Sequence, residues 1–250
     1  MEKENADNST VVEIKDLVKR FPIGGGEFTA LQDINLKFVK GEFTGLVGPS
    51  GSGKTTLLNI IGSLDAPTEG QAIVLSHSVA GLSHSQAAKL RCEDLGFIFQ
   101  TYNLLPVYSV FENVEFPLLL LGFTEEKRKD AVAKALNAVG LTEKADSKPS
   151  QLSGGECQRV AIARAMVKSP QIILADEPTA NLDAENSHRI LQTMAKLNKD
   201  YKTTFIFASH DEKVIGYLSR IVNLSDGKVV KDELIKEPKY LKDNPLIEGD

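Results

Sequence analysis

Phe43-Thr44-Gly45-Leu46-Val47-Gly48-Pro49-Ser50-Gly51-Ser52-Gly53-Lys54-Thr55 joins a short apolar run to a glycine-rich turn, and Lys54 to Leu64 then reads as a helix. Strand, turn and helix in that order are the setting in which Gly-x-x-x-x-Gly-Lys-Thr forms a P-loop. The glycines let backbone N–H groups converge on phosphate oxygens, and the helix N-terminus adds its partial positive charge. Lys54 is then placed to neutralise β and γ phosphates, with the Thr55 hydroxyl on Mg²⁺. The loop alone leaves hydrolysis, kinase transfer and plain binding open.

Further along, Ile172-Ile173-Leu174-Ala175-Asp176-Glu177 ends an apolar strand in two carboxylates, where ligands bind in open α/β sheets. Asp176 is expected in the Mg²⁺ shell, and Glu177 is expected to orient or deprotonate the attacking water. Adjacent carboxylates repel, so without a cation one of them should resist ionising. Thr204-Phe205-Ile206-Phe207-Ala208 is a second buried strand, and His210 just beyond it is placed to hydrogen-bond the γ-phosphate. His77, His84 and His188 are read as exposed surface residues with no role.

With 250 residues, 42% hydrophobic, 25% charged and a net charge of −5, the chain has the composition of a globular α/β protein. Collagenous, low-complexity and wholly disordered classes are excluded, and the acidic balance gives no general attraction to nucleic acid. The longest nearly unbroken apolar run, Phe116 to Phe123, is far short of the roughly 20 residues a membrane helix needs. Met1 to Thr10 lacks the features of a secretory signal, which with only two cysteines, Cys92 and Cys157, suggests the cytoplasm.

Val11 to Ile14 and Leu36 to Phe38 have strand character, whereas Gln100 to about Lys168 is helical in period and reads as an inserted lobe. Thr124 is placed to cap a helix that Gly140 stops. Asp226-Gly227 between two apolar runs, Ile221 to Leu224 and Lys228 to Val230, predicts a closing hairpin. Leu152-Ser153-Gly154-Gly155-Glu156 precedes an Ala-rich stretch, and Ser153 with Glu156 has capping-box spacing. Its paired glycines leave backbone N–H groups unobstructed, so a second anion-binding helix start is expected on the same chain. Cys157 beside it is at a helix N-terminus, where a thiol pKa can fall, or is simply a small inert helix residue.

Taken together, the P-loop, Gln100, Leu152 to Glu156, Ile172 to Glu177, Ala180-Asn181-Leu182-Asp183 and His210 resemble the nucleotide-binding subunit of ATP-binding cassette (ABC) transporters over roughly residues 11–230. The resemblance implies an α/β P-loop NTPase (RecA-like) core with a mainly parallel sheet, an N-terminal antiparallel β subdomain and an α-helical subdomain inserted at about 101–168. Residues 1–10 are then a flexible N-terminus and 231–250 a C-terminal tail. It implies ATP hydrolysis to ADP and phosphate with Mg²⁺ held by Thr55, Gln100 and Asp176, and catalysis by Glu177, His210 and Lys54. Nucleotide contacts would come from Gly48 through Thr56, which adds Thr56 to the loop, and from Gln100. Phe21 takes the adenine-stacking place or is a core residue. Two copies would face head to tail, with Ser153, Gly154, Gly155 and Glu156 of one closing over ATP on the other and Asp183 linking the two sites.

Tyr102 to Pro106, Val110 to Val114, Phe116 to Leu118 and Pro178 to Asp183 resemble the lipoprotein-releasing and macrolide-exporter branch. That implies a separate membrane permease docked near Tyr102–Phe111 and a place on the cytoplasmic face of the inner membrane. Tyr102, Leu104, Leu105, Val107 and Phe111 are the docking candidates, each equally readable as core of the helical lobe. The alternatives are a regulatory, non-translocating cassette of a cell-envelope complex and a soluble cassette acting on ribosomes or DNA.

Overall fold

The computed structural model describes residues 10–240, so residues 1–9 and 241–250 of the expected terminal segments lie outside the described part. The chain opens with β1 (Thr10–Ile23), β2 (Gly26–Val39), β3 (Phe43–Val47), α1 (Lys54–Ile61), β4 (Glu69–Val74), β5 (His77–Ser78), α2 (His84–Glu93) and β6 (Leu95–Ile98). Three helices follow: α3 (Val110–Leu120), α4 (Glu125–Ala138) and α5 (Gly154–Met166). The chain then runs through β7 (Ile172–Asp176), α6 (Ala184–Tyr201), β8 (Thr204–Ser209), the short α7 (Glu212–Ile215), β9 (Arg220–Ser225) and β10 (Lys228–Leu234).

The strands form two sheets. One is antiparallel in the order β2-β1-β4-β5, and the other runs β10-β9-β3-β8-β7-β6, parallel except for the edge strand β10. Side chains alternate across the second sheet and feed two separate cores. Phe43, Phe205, Phe207, Ile173 and Ala175 point to the helices α3–α6, whereas Leu46, Ile206, Ala208, Leu174 and Val222 point to α1 and the antiparallel sheet. Every residue of β8 is buried, which is why that strand reads as an unbroken apolar run. Phe43 packs edge-on to Phe207 at 4.7 Å and tilted to Phe205 at 5.4 Å; burying each such ring contributes about 1.5–3 kcal/mol.

Register decides what meets at the sheet's end. Val47 pairs with Ser209, and Asp176 pairs with Ala208. The turns after β3, β7 and β8 therefore emerge side by side at the carboxyl edge, the ligand-binding edge of open α/β sheets.

The inserted helical lobe is present as α3, α4 and α5, and buried Asn113 pins the loop that enters it. Its amide donates to the carbonyls of Leu105 (3.1 Å), Tyr108 (3.2 Å) and Ser109 (2.9 Å), and its oxygen accepts the Leu105 N–H at 2.8 Å. Ser109 and Glu112 form a capping box, so α3 starts firmly despite Pro117 inside it.

Several expectations need correction. The N-terminal strands are much longer than the apolar pattern indicates, because bulges between Ile14 and Arg20 break the alternation while pairing continues. The closing hairpin turns at Asp226-Gly227, both at positive φ, but its second strand continues to Leu234 rather than Val230. Thr124 occupies the N-cap of α4 without its side chain capping, and α4 stops just before Gly140. His188 is not a surface residue: it is half-buried, with Nδ1 3.1 Å from the Tyr217 hydroxyl and its ring edge-on to Tyr240 at 4.8 Å. Leu104 and Phe111 pack on the helical core, whereas Val107 is 74% exposed.

Candidate functional site

The turn after β3 starts α1 with Gly53 at φ +99°, where a Cβ would lie 2.8 Å from the Ala30 carbonyl oxygen. Only glycine fits there. Lys54 is buried, and its ammonium donates to the carbonyls of Gly48 at 2.7 Å and Pro49 at 2.8 Å, curling the loop around its own cation. Ser52 is buried at the back of the loop, and its hydroxyl has no partner. The Thr55 hydroxyl is shared between the two carboxylate oxygens of Asp176, at 3.2 and 3.1 Å. Burial pushes the Asp176 carboxyl above its ordinary range, opposed by the Thr55 hydrogen bond and reinforced by the Glu177 charge. One of the adjacent carboxylates thus resists ionising as expected, although desolvation outweighs like-charge repulsion.

Glu177 leaves β7 at φ +45°, a left-handed conformation that a non-glycine residue takes up only under constraint. Its N–H donates to the Ala208 carbonyl at 2.9 Å, which turns the side chain back across the end of β8. There Oε1 meets His210 Nδ1 at 2.6 Å, and Oε2 accepts the Ser209 hydroxyl at 2.9 Å.

Lys54, Thr55, Glu177 and His210 border one cavity of about 430 Å³, lined also by Phe21, Phe28, Ala30, Ser50, Gly51, Gly53, Thr56 and Gln100, while Asp176 reaches it through Thr55. Phe21 is therefore not a core residue. Lys19 Nζ stands over its ring at 4.9 Å, and Phe28 is its direct cross-strand partner. Phe28, Ala30 and Ser209 escaped sequence reading. An aromatic at each arm of a hairpin was the only signal for Phe28, and pairing register cannot be read from it.

Ser153, Gly154, Gly155, Glu156 and Asp183 do not line this cavity. Ser153 caps α5 by accepting the Glu156 N–H at 3.3 Å, while Glu156 accepts the Ser153 N–H at 2.8 Å. That backbone hydrogen bond holds the Glu156 carboxyl below its ordinary range. Asp183 caps α6 by accepting the Asn186 N–H at 2.8 Å, and a Cβ on Gly155 would come within 2.7 Å of Asn186 Oδ1, so the two helix starts adjoin. Asn181 ties this second cluster to the first by donating to the Gln100 carbonyl at 2.9 Å. Buried Gln158 does the same from α5, donating to Pro178 at 2.7 Å.

Of the two readings of Cys157, the structure agrees with the inert helix residue and not with the activated thiol. Burial, and secondarily the Glu156 charge, push its thiol pKa up instead of down, and Sγ lies 3.7 Å from the Pro149 carbonyl. Desolvation outweighs the helix dipole there.

A groove of about 440 Å³ opens between α2, β6, α3 and α5, walled by Phe97, Phe99, Phe116, Pro117 and Leu120 with Arg91, Arg164 and Lys168. Arg164 donates to the carbonyls of Asn103 and Tyr102, and Lys168 to those of Arg91 and Cys92. Burial depresses Lys168 to about 8.

A lysine-bearing glycine loop, a strand-end glutamate and a histidine around one cavity, with a second strand-end carboxylate held by the loop's threonine and a glycine-rich capped helix apart from it, define a P-loop ATPase of the cassette type. The family described as ABC transporter matches residues 31–180, and the chain belongs to that family as an ATP-binding ATPase subunit. It is similar to the lipoprotein-releasing system ATP-binding protein LolD of Pseudoalteromonas translucida, 42% identical over 94% of this chain and 99% of the relative. It is also similar to the macrolide export ATP-binding/permease protein MacB of Pasteurella multocida, 41% identical over 90% of this chain but only 34% of that protein. A solved structure of the cassette MJ0796, a Methanocaldococcus jannaschii protein, superposes with a TM-score of 0.83 at 40% identity, covering 90% of this chain and 99% of that one. That relative was captured as a dimer in a post-hydrolysis state bound to ADP and Pi. Among the described residues no helix is long and apolar enough to cross a membrane.

Proposed function

We propose that the chain dimerises head to tail around two ATP molecules and drives a separate membrane permease from the cytoplasmic face of the inner membrane. The observation that carries this reading is the split site: Lys54, Asp176, Glu177 and His210 converge, whereas Ser153 and Gly155 stand apart on the same chain. A second copy completes the site.

Lys54 exchanges its carbonyl partners for β and γ phosphates, with the amides of Gly51 to Thr56 around them. Phe21 stacks on adenine. Glu177 takes a proton from the attacking water, and His210 holds the γ-phosphate. Ser153 and the Gly154-Gly155 amides of the partner copy close the other side, and Asp183 reports closure across the interface. The Thr55 hydroxyl, the Asp176 carboxylate and the Gln100 amide are hard oxygen donors that suit Mg²⁺. Bound there, Mg²⁺ neutralises charge that develops on the phosphates.

The permease docks on the groove beside α3, which extends the expected Tyr102–Phe111 surface to Phe116 and Leu120; Leu120 is 64% exposed. The cargo class, a lipoprotein, peptide or drug-like molecule, follows the LolD and MacB likeness.

Glu177→Gln tests the reading. Turnover should fall roughly 10²–10⁴-fold, and ATP with Mg²⁺ should convert the variant from monomer to dimer in light scattering. Unchanged phosphate release would exclude Glu177 as the base, and a persistent monomer would exclude the shared site. Capture of a permease from solubilised membranes by this variant, lost on adding Leu120→Asp, supports docking; capture of ribosomes would favour the soluble alternative.

A further inference from the structure

The two oxygens of the Glu177 carboxylate are held by very different groups. Oε2 accepts a 2.9 Å hydrogen bond from Ser209, whose side chain is buried with the residue only 1% exposed. Oε1 faces His210 Nδ1 at 2.6 Å, and that imidazole is 68% exposed. Ser209 has one hydroxyl hydrogen, and its oxygen already accepts the Asp211 N–H at 3.1 Å. The Asp211 bond orients the hydroxyl so that its hydrogen goes to Glu177. Asp211 is in turn fixed, accepting the Thr179 hydroxyl at 3.2 Å and the Lys213 N–H at 2.9 Å.

We propose that Ser209 is a positioning residue for hydrolysis, clamping Glu177 Oε2 so that Oε1 alone is presented to the attacking water. The inference rests on Glu177 being the catalytic base. A carboxylate on a flexible side chain turns about its last torsion and can offer either oxygen. Clamped on the buried side, Glu177 keeps Oε1 aimed into the cavity when the exposed His210 swings away to the γ-phosphate. The left-handed backbone at Glu177 and its N–H bond to Ala208 fix the other end of the same side chain. The carboxylate is thus held at its root and at one oxygen, which is the preorganisation a base needs.

The experiment is a kinetic cycle on full-length protein with Ser209→Ala, Ser209→Thr, Glu177→Gln and Ser209→Ala/Glu177→Gln. Ser209→Ala should lower kcat about tenfold to a hundredfold, with ATP affinity by equilibrium binding and melting temperature nearly unchanged. Ser209→Thr keeps the hydroxyl and should recover most of the rate. In the Glu177→Gln background, removing the Ser209 hydroxyl should change the residual rate by less than twofold, because the two act as one unit. A Ser209→Ala kcat within twofold of wild type overturns the clamp while leaving Glu177 as base. A rate loss of the same size in both backgrounds also overturns it, since Ser209 then acts through the turn and not through the carboxylate. If Glu177→Gln itself retains full turnover, it is the underlying assignment of the base that fails.

Discussion

The imidazole of His210 and the carboxylate of Glu177 meet at 2.6 Å across the ends of neighbouring strands, although 33 residues separate them in the chain. The contact exists because β7 and β8 pair with Asp176 opposite Ala208. On the proposed role of His210 as a preorganised donor to the γ-phosphate, His210→Ala should lower kcat about 10²-fold while the dissociation constant for ATP changes little. Steady-state phosphate release beside equilibrium nucleotide binding separates the two; weakened binding with an unchanged kcat would assign His210 to ground-state contact only.

Lys168 supplies a pH test of the groove. Burial holds it at about 8, below its ordinary value of 10.5. Between those values the folded protein binds fewer protons than the unfolded one, so linkage makes stability rise with pH across that window. The cost of the buried cation is fully present below pH 8. Thermal melts from pH 6.5 to 10.5 should show wild type gaining stability relative to Lys168→Met above pH 8, with a flat difference at lower pH. A difference flat throughout would show that Lys168 is not desolvated.

Asn113 satisfies four backbone groups at the entrance to α3. An apolar side chain of equal size takes the partner from the Leu105 N–H and the Tyr108 carbonyl, while the Leu105 and Ser109 carbonyls keep the N–H groups of Tyr108 and Asn113, so Asn113→Leu should destabilise the protein by about 2–4 kcal/mol. Urea denaturation measures this directly, and a change under 0.5 kcal/mol, about the noise of a surface substitution, would mean that water replaces the amide.

The thiols should react in the order opposite to the one helix position suggests. Cys157 is buried with a raised pKa, whereas Cys92 is half-buried at the groove. With a limiting chromogenic disulfide at pH 7, peptide mapping should find Cys92 labelled first, and Cys157→Ala should leave the ATPase unchanged. Early labelling of Cys157 would show that α5 opens its first turn in solution.

Local features were legible because neighbouring residues make them. The P-loop turn needs Gly53 and a following helix, and the Ser153–Glu156 box joins residues three apart, so both are written in short stretches and both start where read, although α1 ends at Ile61 before Gly62 and not at Leu64. The residues 65–99 were not legible: β5 is two residues long and α2 is polar around most of its surface, which leaves no periodicity to detect. His188 was misread for a related reason, since what buries it comes from Tyr217 and Tyr240, far along the chain.

By itself, then, the order of residues determined which backbone segments can hold phosphate and which carboxylates end a strand, because hydrogen bonds between near neighbours specify those conformations. Only the tertiary structure decided that Thr55 reaches Asp176 across 121 residues, that Phe21 faces Phe28, and that Ser209 aims its hydroxyl at Glu177. Those meetings depend on strand order and register, which packing of the two cores selects and no local pattern encodes.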